Sequence, residues 1–427
     1  YPMGLADYSA FILGGLPKQG QTLEEVKDLL LNEIKKLRAG EFDEKMLQAN
    51  INNFKLYELQ SMESNEGRAD IFVNSFINGT NWKDEVTAID RMAKLTKEDI
   101  VAFADKYLKE DNYAVVYKKQ GKDPNEKKMT KPEITPIVSN RDVASPFLTS
   151  IQENAVKPIE PVFLDFKKDM SQLTAKSDIP VLYKQNTTND LFQLIYVFDM
   201  GNNNDKALGT AFDYLEYLGT SDMTPEELKS EFYRLACTFY VSPGNERTYV
   251  VLSGLNENMP AAMQLFEKLL ADAQANKEAY NNLVGDILKA RADAKLNQGQ
   301  NFSRLMNYAM YGPKSPATNL LTEAELASMN PQELVDRIHN QNNYKHRILY
   351  YGPSSSKDLL ATIDQYHQVP ATLKDIPAGN EFSYLETPAT KVLVAPYEAK
   401  QIYMAQISNL DKKYDPAIEP TRELYNE

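Results

Sequence analysis

The stretch Asp205–Phe232, DKALGTAFDYLEYLGTSDMTPEELKSEF, decides how the rest of the chain is read. Ala207, Leu208, Ala211, Leu215 and Leu218, together with Tyr214, recur at helical spacing. Gly219 follows the last of them, where a helix usually stops. Thr224, Pro225 and Glu227 then form a capping box with proline at the first helical position, which starts a second helix. Asp213, Glu216 and Tyr217 stand at i, i+3 and i+4, so they share one face off the main apolar stripe. Taken alone, the segment reads as an ordinary amphipathic helix with two exposed acids. The rest of the chain changes that reading.

The 427 residues are 42% hydrophobic and 25% charged, enough for two or more domains with their own cores. A net charge of −13 disfavours nucleic-acid backbones and anionic membranes as partners. The single cysteine, Cys237, excludes an internal disulfide and a cysteine-based zinc site. Its neighbours Leu235, Ala236 and Phe239 make it a small buried hydrophobe. No apolar run is long enough to span a bilayer. No signal-peptide pattern is visible, and the sequence fixes no compartment.

In chain order, Tyr8–Leu13 reads as a strand, followed by helices over Leu23–Leu37 and Asp43–Met62 and a further helical region at Arg68–Phe76. Thr96 and Asp99 cap a helix carrying Ile100, Phe103 and Tyr107, and Asn112–Lys118 reads as a strand. Residues 121–178 hold six prolines and a basic cluster at Lys127–Lys128, with strand character only at Val162–Phe166. They read as a long ordered link between two halves, because Phe147, Leu148, Phe163, Leu164 and Phe166 need somewhere to pack. Strands at Ile179–Lys184 and Leu191–Met200 then lead into the helix of the opening stretch. Pro243-Gly244-Asn245 joins two strands as a hairpin. Helices at Pro260–Ala273, Lys277–Ala294, Phe302–Tyr311 and Lys357–Tyr366 and a strand at His346–Tyr351 complete this part. A second link, Val369–Pro388, leads to expected strands at Lys391–Val394 and Gln401–Ile407 and an expected helix at Arg422–Glu427.

The sequence also repeats itself. Leu95–Ile100, Asn112-Tyr113 and a strand ending at Gly121 recur as Met329–Leu334, Asn343-Tyr344 and a strand ending at Gly352. The Gly15-Leu16 turn before a helix with Leu30-Leu31 recurs as Gly254-Leu255 before a helix with Leu269-Leu270. Val181-Leu182 is echoed by Val392-Leu393, all at separations of roughly 210–240 residues. The repeat predicts the end of one unit over 1–120, a link over 121–178, a whole unit over 179–370 and the start of another over 371–427. The chain is accordingly expected to be a piece of a larger one.

With these features in hand, the frame Asp213-Tyr214-Leu215-Glu216-Tyr217 resembles the inverted zinc motif His-x-x-Glu-His, with the glutamate kept and both histidines replaced. Its flanks, Leu215–Thr220, Tyr311-Gly312 and Asn330–Gly352 resemble the pitrilysin/insulinase (M16) zinc metallopeptidases, specifically the degenerate half of that family. The resemblance implies an α+β fold of repeated units, each a mixed or antiparallel sheet covered by helices. It implies a non-catalytic portion of an M16-type metalloendopeptidase that forms part of a peptide-enclosing chamber. The alternatives are an inactive M16-like structural or partner subunit and a peptide-binding module without hydrolysis.

The same resemblance implies zinc in the parent protein but none bound here. Ala290, in Ile287-Leu288-Lys289-Ala290, stands where the family's third ligand would fall, with Asp293 one turn on. His339, His346 and His367 include no i, i+4 pair and are expected to be surface or structural. No catalytic residue is assigned to this chain, and Asp213, Glu216 and Tyr217 are the degenerate motif positions. Expected partners are a peptide substrate of the parent, a missing catalytic half, and other copies through open strand edges. A bacterial parent would be compatible with a periplasmic or secreted location.

Overall fold

The computed structural model describes residues 1–427 except 6, 19, 122–128, 137, 138, 140–142, 410–413 and 427. Pro124 and the Lys127–Lys128 cluster lie outside the described residues. The strands are β1 Pro2–Gly4, β2 Ser9–Phe11, β3 Ser171–Ala175, β4 Ile179–Gln185, β5 Leu191–Phe198, β6 Cys237–Pro243, β7 Thr248–Leu255 and β8 Arg347–Gly352. The first helices are α1 Leu23–Arg38, α2 Lys45–Ser61, α3 Asn65–Asn78, α4 Trp82–Val86, α5 Ala88–Met92, α6 Lys97–Tyr107 and α7 Pro146–Gln152. Then come α8 Leu208–Leu215, α9 Pro225–Arg234, α10 Met259–Asp272, α11 Lys277–Ala294, α12 Gln298–Tyr311, α13 Glu323–Ser328, α14 Pro331–Asn340, α15 Ser356–Tyr366 and α16 Glu419–Asn426. They fall into two compact units, residues 1–42 with 96–169 and residues 43–95 with 170–427.

In the smaller unit, α1 and α6 pack together, each opened by a complete capping box, Thr22 with Glu25 and Thr96 with Asp99. The Arg38 guanidinium donates to Asp105 across them at 2.8 Å. The expected strands at Asn112–Lys118 and Val162–Phe166 do not form a ladder. Val116 and Val162 are almost fully exposed. β-branched residues favour a strand only when another strand satisfies the backbone beside it.

The larger unit holds a six-stranded mixed sheet in the order β3-β4-β8-β5-β7-β6. Only the β4–β8 pair is parallel, in the register Val181↔Ile348. Helices α8, α9, α10, α14 and α15 bury one apolar cluster against the sheet, including Phe198, Leu208, Leu215, Phe266, Leu334, Ile348 and Leu359. This is the α+β arrangement, a mixed sheet covered by helices, that the resemblance implies.

Three local departures have physical causes. β3 is a strand that the sequence reading does not anticipate. It returns into β4 through Ser177 and Asp178, both with left-handed backbone, where glycine or asparagine is the usual signal. Ser177 Oγ donates to the Pro370 carbonyl and Lys176 N–H to Asp364 at 2.8 Å, which holds the turn. Second, α8 starts only at Leu208, because Asp205 bonds the Ala207 N–H at 2.9 Å and Asn202 bonds the Gly209 N–H at 2.9 Å. These side chains hold the backbone in a turn instead of a helix. Third, Lys391–Val394 and Gln401–Ile407 are not strands. Val392 and Ile402 are exposed, and no ladder partner stands beside them among the described residues.

Leu208, Ala211, Leu215 and Leu218 are buried, whereas Asp213 and Glu216 are exposed. Leu215→Ala is therefore expected to lower stability by about 2–5 kcal/mol and Asp213→Ala by less than about 0.5 kcal/mol, read from urea melts of the two variants.

Candidate peptide-binding edge and the buried histidine pair

Strand β6 is one edge of the sheet. The Leu255 N–H donates to the Ala236 carbonyl at 3.3 Å and the Gly244 N–H to the Arg247 carbonyl at 2.7 Å, at the two ends of the β6–β7 ladder. Hydrogen-bonded pairs alternate in an antiparallel ladder, so Thr238, Tyr240 and Ser242 bond inward to β7. Cys237, Phe239 and Val241 therefore turn their N–H and C=O groups to the open side. Pro243 occupies the next outward position and has no N–H, which stops pairing at that end.

Beside this edge lies a groove of about 470 Å³ between α2, α9 and the end of α8. Leu56, Tyr57, Phe212, Leu228, Phe232 and Phe239 line it, with exposed Glu216 and Lys229 at its mouth. Phe239 lies 4.9 Å from Phe232 and 4.7 Å from Phe266, ring centre to ring centre. Polar bonds fix α2 as the far wall. Asn53 Nδ2 donates to the Tyr233 carbonyl and the Tyr233 hydroxyl to Asn50, both at 2.6 Å. Cys237 is buried at the groove floor, and burial pushes its thiol up to about 12.

Of the three motif positions, Glu216 reaches the groove, and Asp213 and Tyr217 are exposed beside it. Surrounding protein and then the Glu216 carboxylate raise the Asp213 carboxyl above its ordinary value. Glu216 and Tyr217 follow α8 in a tightened turn, with Tyr217 N–H bonded to the Tyr214 carbonyl at 3.0 Å. The donor set does not fit zinc. It offers two carboxylates and a phenol but no imidazole or thiolate. Ala290 on α11 has no donor, and Asp293 is paired with Lys289 at 3.4 Å.

The structure joins three residues that the sequence keeps far apart. Glu267 on α10, His367 after α15 and His346 before β8 form one buried chain, with His367 and Glu267 0% and 1% exposed. Glu267 Oε1 lies 2.6 Å from His367 Nδ1, the two Nε2 atoms are 2.8 Å apart, and His346 Nδ1 lies 2.7 Å from the Tyr344 carbonyl. The carboxylate also accepts from the Tyr196 hydroxyl at 2.9 Å, Asn342 Nδ2 at 3.0 Å and the Gln368 N–H at 3.1 Å. Burial, and next His367, push His346 down to about 4. His339 stands apart, with its Nε2 3.1 Å from the Ala273 carbonyl. One sequence signal points to this cluster. Glu267 interrupts the apolar stripe Met263, Phe266, Leu270 of α10, where an acid requires partners.

No family model and no curated protein matches the chain. Solved structures do. The peptidase M16 inactive domain from Pseudomonas fluorescens is similar at 16% identity and a TM-score of 0.43, over 50% of this chain and 54% of that one. The periplasmic protease PqqL from Escherichia coli is similar at 14% identity and 0.47, over 87% and 41%. The ferredoxin protease FusC, solved in complex with Arabidopsis ferredoxin, is similar at 10% identity and 0.45, over 82% and 42%. One of these similar structures is an M16 inactive domain and the other two are proteases. The chain spans about half the length of the structures it matches, or less.

Removing the Glu267 carboxylate leaves buried His367 Nδ1, the Tyr196 hydroxyl, Asn342 and the Gln368 N–H without their shared partner. Glu267→Ala is expected to cost about 3–5 kcal/mol, and Glu267→Gln, which can still hydrogen-bond His367, distinctly less. Urea midpoints of both variants at pH 7 check this.

Proposed function

We propose that this chain is the non-catalytic portion of an M16-type zinc metalloendopeptidase, and that it binds extended peptide along β6. The observation that carries the reading is the free β6 edge beside an apolar groove with the motif glutamate at its mouth and no imidazole near it. A chain segment lying antiparallel to Cys237–Val241 would exchange backbone hydrogen bonds with Cys237, Phe239 and Val241. Its apolar side chains would enter the groove. On this reading residues 179–370 are the one whole unit, 1–120 the end of the unit before it, 121–178 the link and 371–427 the start of the next. Zinc and hydrolysis belong to the parent's catalytic unit, and Asp213, Glu216 and Tyr217 occupy its motif frame without its chemistry.

Val241→Pro removes one outward N–H without breaking a bond to β7. It is expected to weaken binding of an extended apolar peptide at least tenfold in fluorescence anisotropy, with little change in melting temperature. Unchanged affinity would rule out the edge. The unaltered chain is expected to retain less than a tenth of an equivalent of zinc after dialysis and to cleave no peptide. One tight equivalent by metal analysis would overturn the assignment.

A further inference from the structure

The geometry around His346 fixes a proton count. The Tyr344 carbonyl can only accept, so His346 Nδ1 carries a hydrogen. One proton, and no more, fits between the two Nε2 atoms at 2.8 Å. A third lies between His367 Nδ1 and Glu267 Oε1. Two neutral imidazoles and a carboxylate would bring only two, so the chain holds one extra proton and is neutral as a whole. The carboxylate receives three further hydrogen bonds, from Tyr196, Asn342 and Gln368. The extra proton is held within the Glu267–His367–His346 chain.

The cluster also closes a joint. Glu267 is anchored in α10, and His346 directly precedes β8. His367 directly follows α15 and opens the link that the Gln368 N–H ties to Glu267 Oε2. Further along, Lys374 pairs with Asn343 at 2.7 Å and with Lys345 at 2.9 Å, and Lys345 forms an ion pair with Asp375. A cavity of about 280 Å³ lined by Glu267, Asn342, Gln368 and Val369 lies against the joint, and Asn342 Oδ1 is buried there without a partner. Water can enter at this place. Among the described residues, Glu267 is the titratable group bonded to the pair, Tyr196 donates to Glu267 and packs its ring against His367, and His339 is turned to Ala273 instead.

We propose that the Glu267–His367–His346 chain is an acid-operated latch on the link 368–375. A fourth proton would set two N–H groups head to head between the imidazoles, and His367 would then leave with the link. The direction follows from His346, which burial holds at about 4 against about 6.5 when unfolded. A depressed histidine favours the closed form fully above the unfolded value, and the advantage is lost as pH falls from about 6.5 towards 4.

Hydrogen exchange of the whole chain at pH 7.5 and pH 4.5, corrected for intrinsic rates, tests the latch. Residues 368–375 are expected to lose protection at least tenfold at pH 4.5 while β5 and β7 keep theirs. Unchanged protection of the link, or an equal loss across the sheet, overturns it. In His346→Gln the acid effect on the link should shrink to less than twofold, and a persisting tenfold loss overturns the proposal. Ring-nitrogen NMR of the unaltered chain at pH 7 tests the count independently of that variant's folding. His346 Nδ1 should carry a hydrogen and only one of the two Nε2 atoms should, and a hydrogen on both Nε2 atoms or on neither would overturn the proposal.

Discussion

The larger unit depends on one insertion. β8 enters between β4 and β5, parallel to the first and antiparallel to the second. Without it the sheet is two separate pieces, the β3–β4 hairpin and the β5-β7-β6 meander. Both pieces would expose an unpaired edge in the middle of the core. β8 arrives about 150 residues after β5, so the helices between them must already allow it a slot. Long-range pairing of this kind makes folding slow relative to a local hairpin. Asp199, at the end of β5, takes Arg247 at 2.8 Å and Arg347 at 2.6 Å and so ties the β6–β7 turn to the start of β8. These ions are about half exposed and contribute direction more than stability.

Helix α10 is a wall common to both special regions of this unit. Leu269 faces the groove beside β6, and Glu267, two residues earlier, faces the joint at the far side of the helix. Phe266 between them meets Phe239 of β6. The peptide edge and the histidine chain thus stand on one rigid element. A buried polar cluster is an expensive way to hold a core together. Here the donors that the carboxylate receives come from β5, from Asn342 after α14 and from His367 and Gln368 at the start of the link, so the cluster specifies how α10, β5 and the link meet.

The fold was legible where local pattern and tertiary need agree. The capping boxes at Thr96 and Thr224, the Pro243–Asn245 turn and the apolar face of α8 all hold as read. The reading failed where a strand depends on its neighbour. Asn112–Lys118 and Lys391–Val394 have strand-forming residues and no ladder, whereas Ser171–Ala175 is weak in composition and pairs with β4. At the candidate site, the frame Asp213-Tyr214-Leu215-Glu216-Tyr217 could be seen because it is continuous in sequence, running from the end of α8 into the turn that follows. Glu267, His346 and His367 could not, because only the crossing of α10 and β8 unites them. The misplaced acid on α10 was the single trace that they left in the sequence.

Cys237 gives the edge strand a chemical clock. Burial pushes this thiol up to about 12, so at pH 8 it is far less ionised than a free thiol. Its sulfur is buried at the groove floor, so an alkylating reagent can reach it only when β6 or α2 lifts away. The chain has one cysteine, so labelling carries no background from other thiols. The rate at which label accumulates then measures how often the groove opens, and an occupant seated on β6 would slow it in proportion to its occupancy.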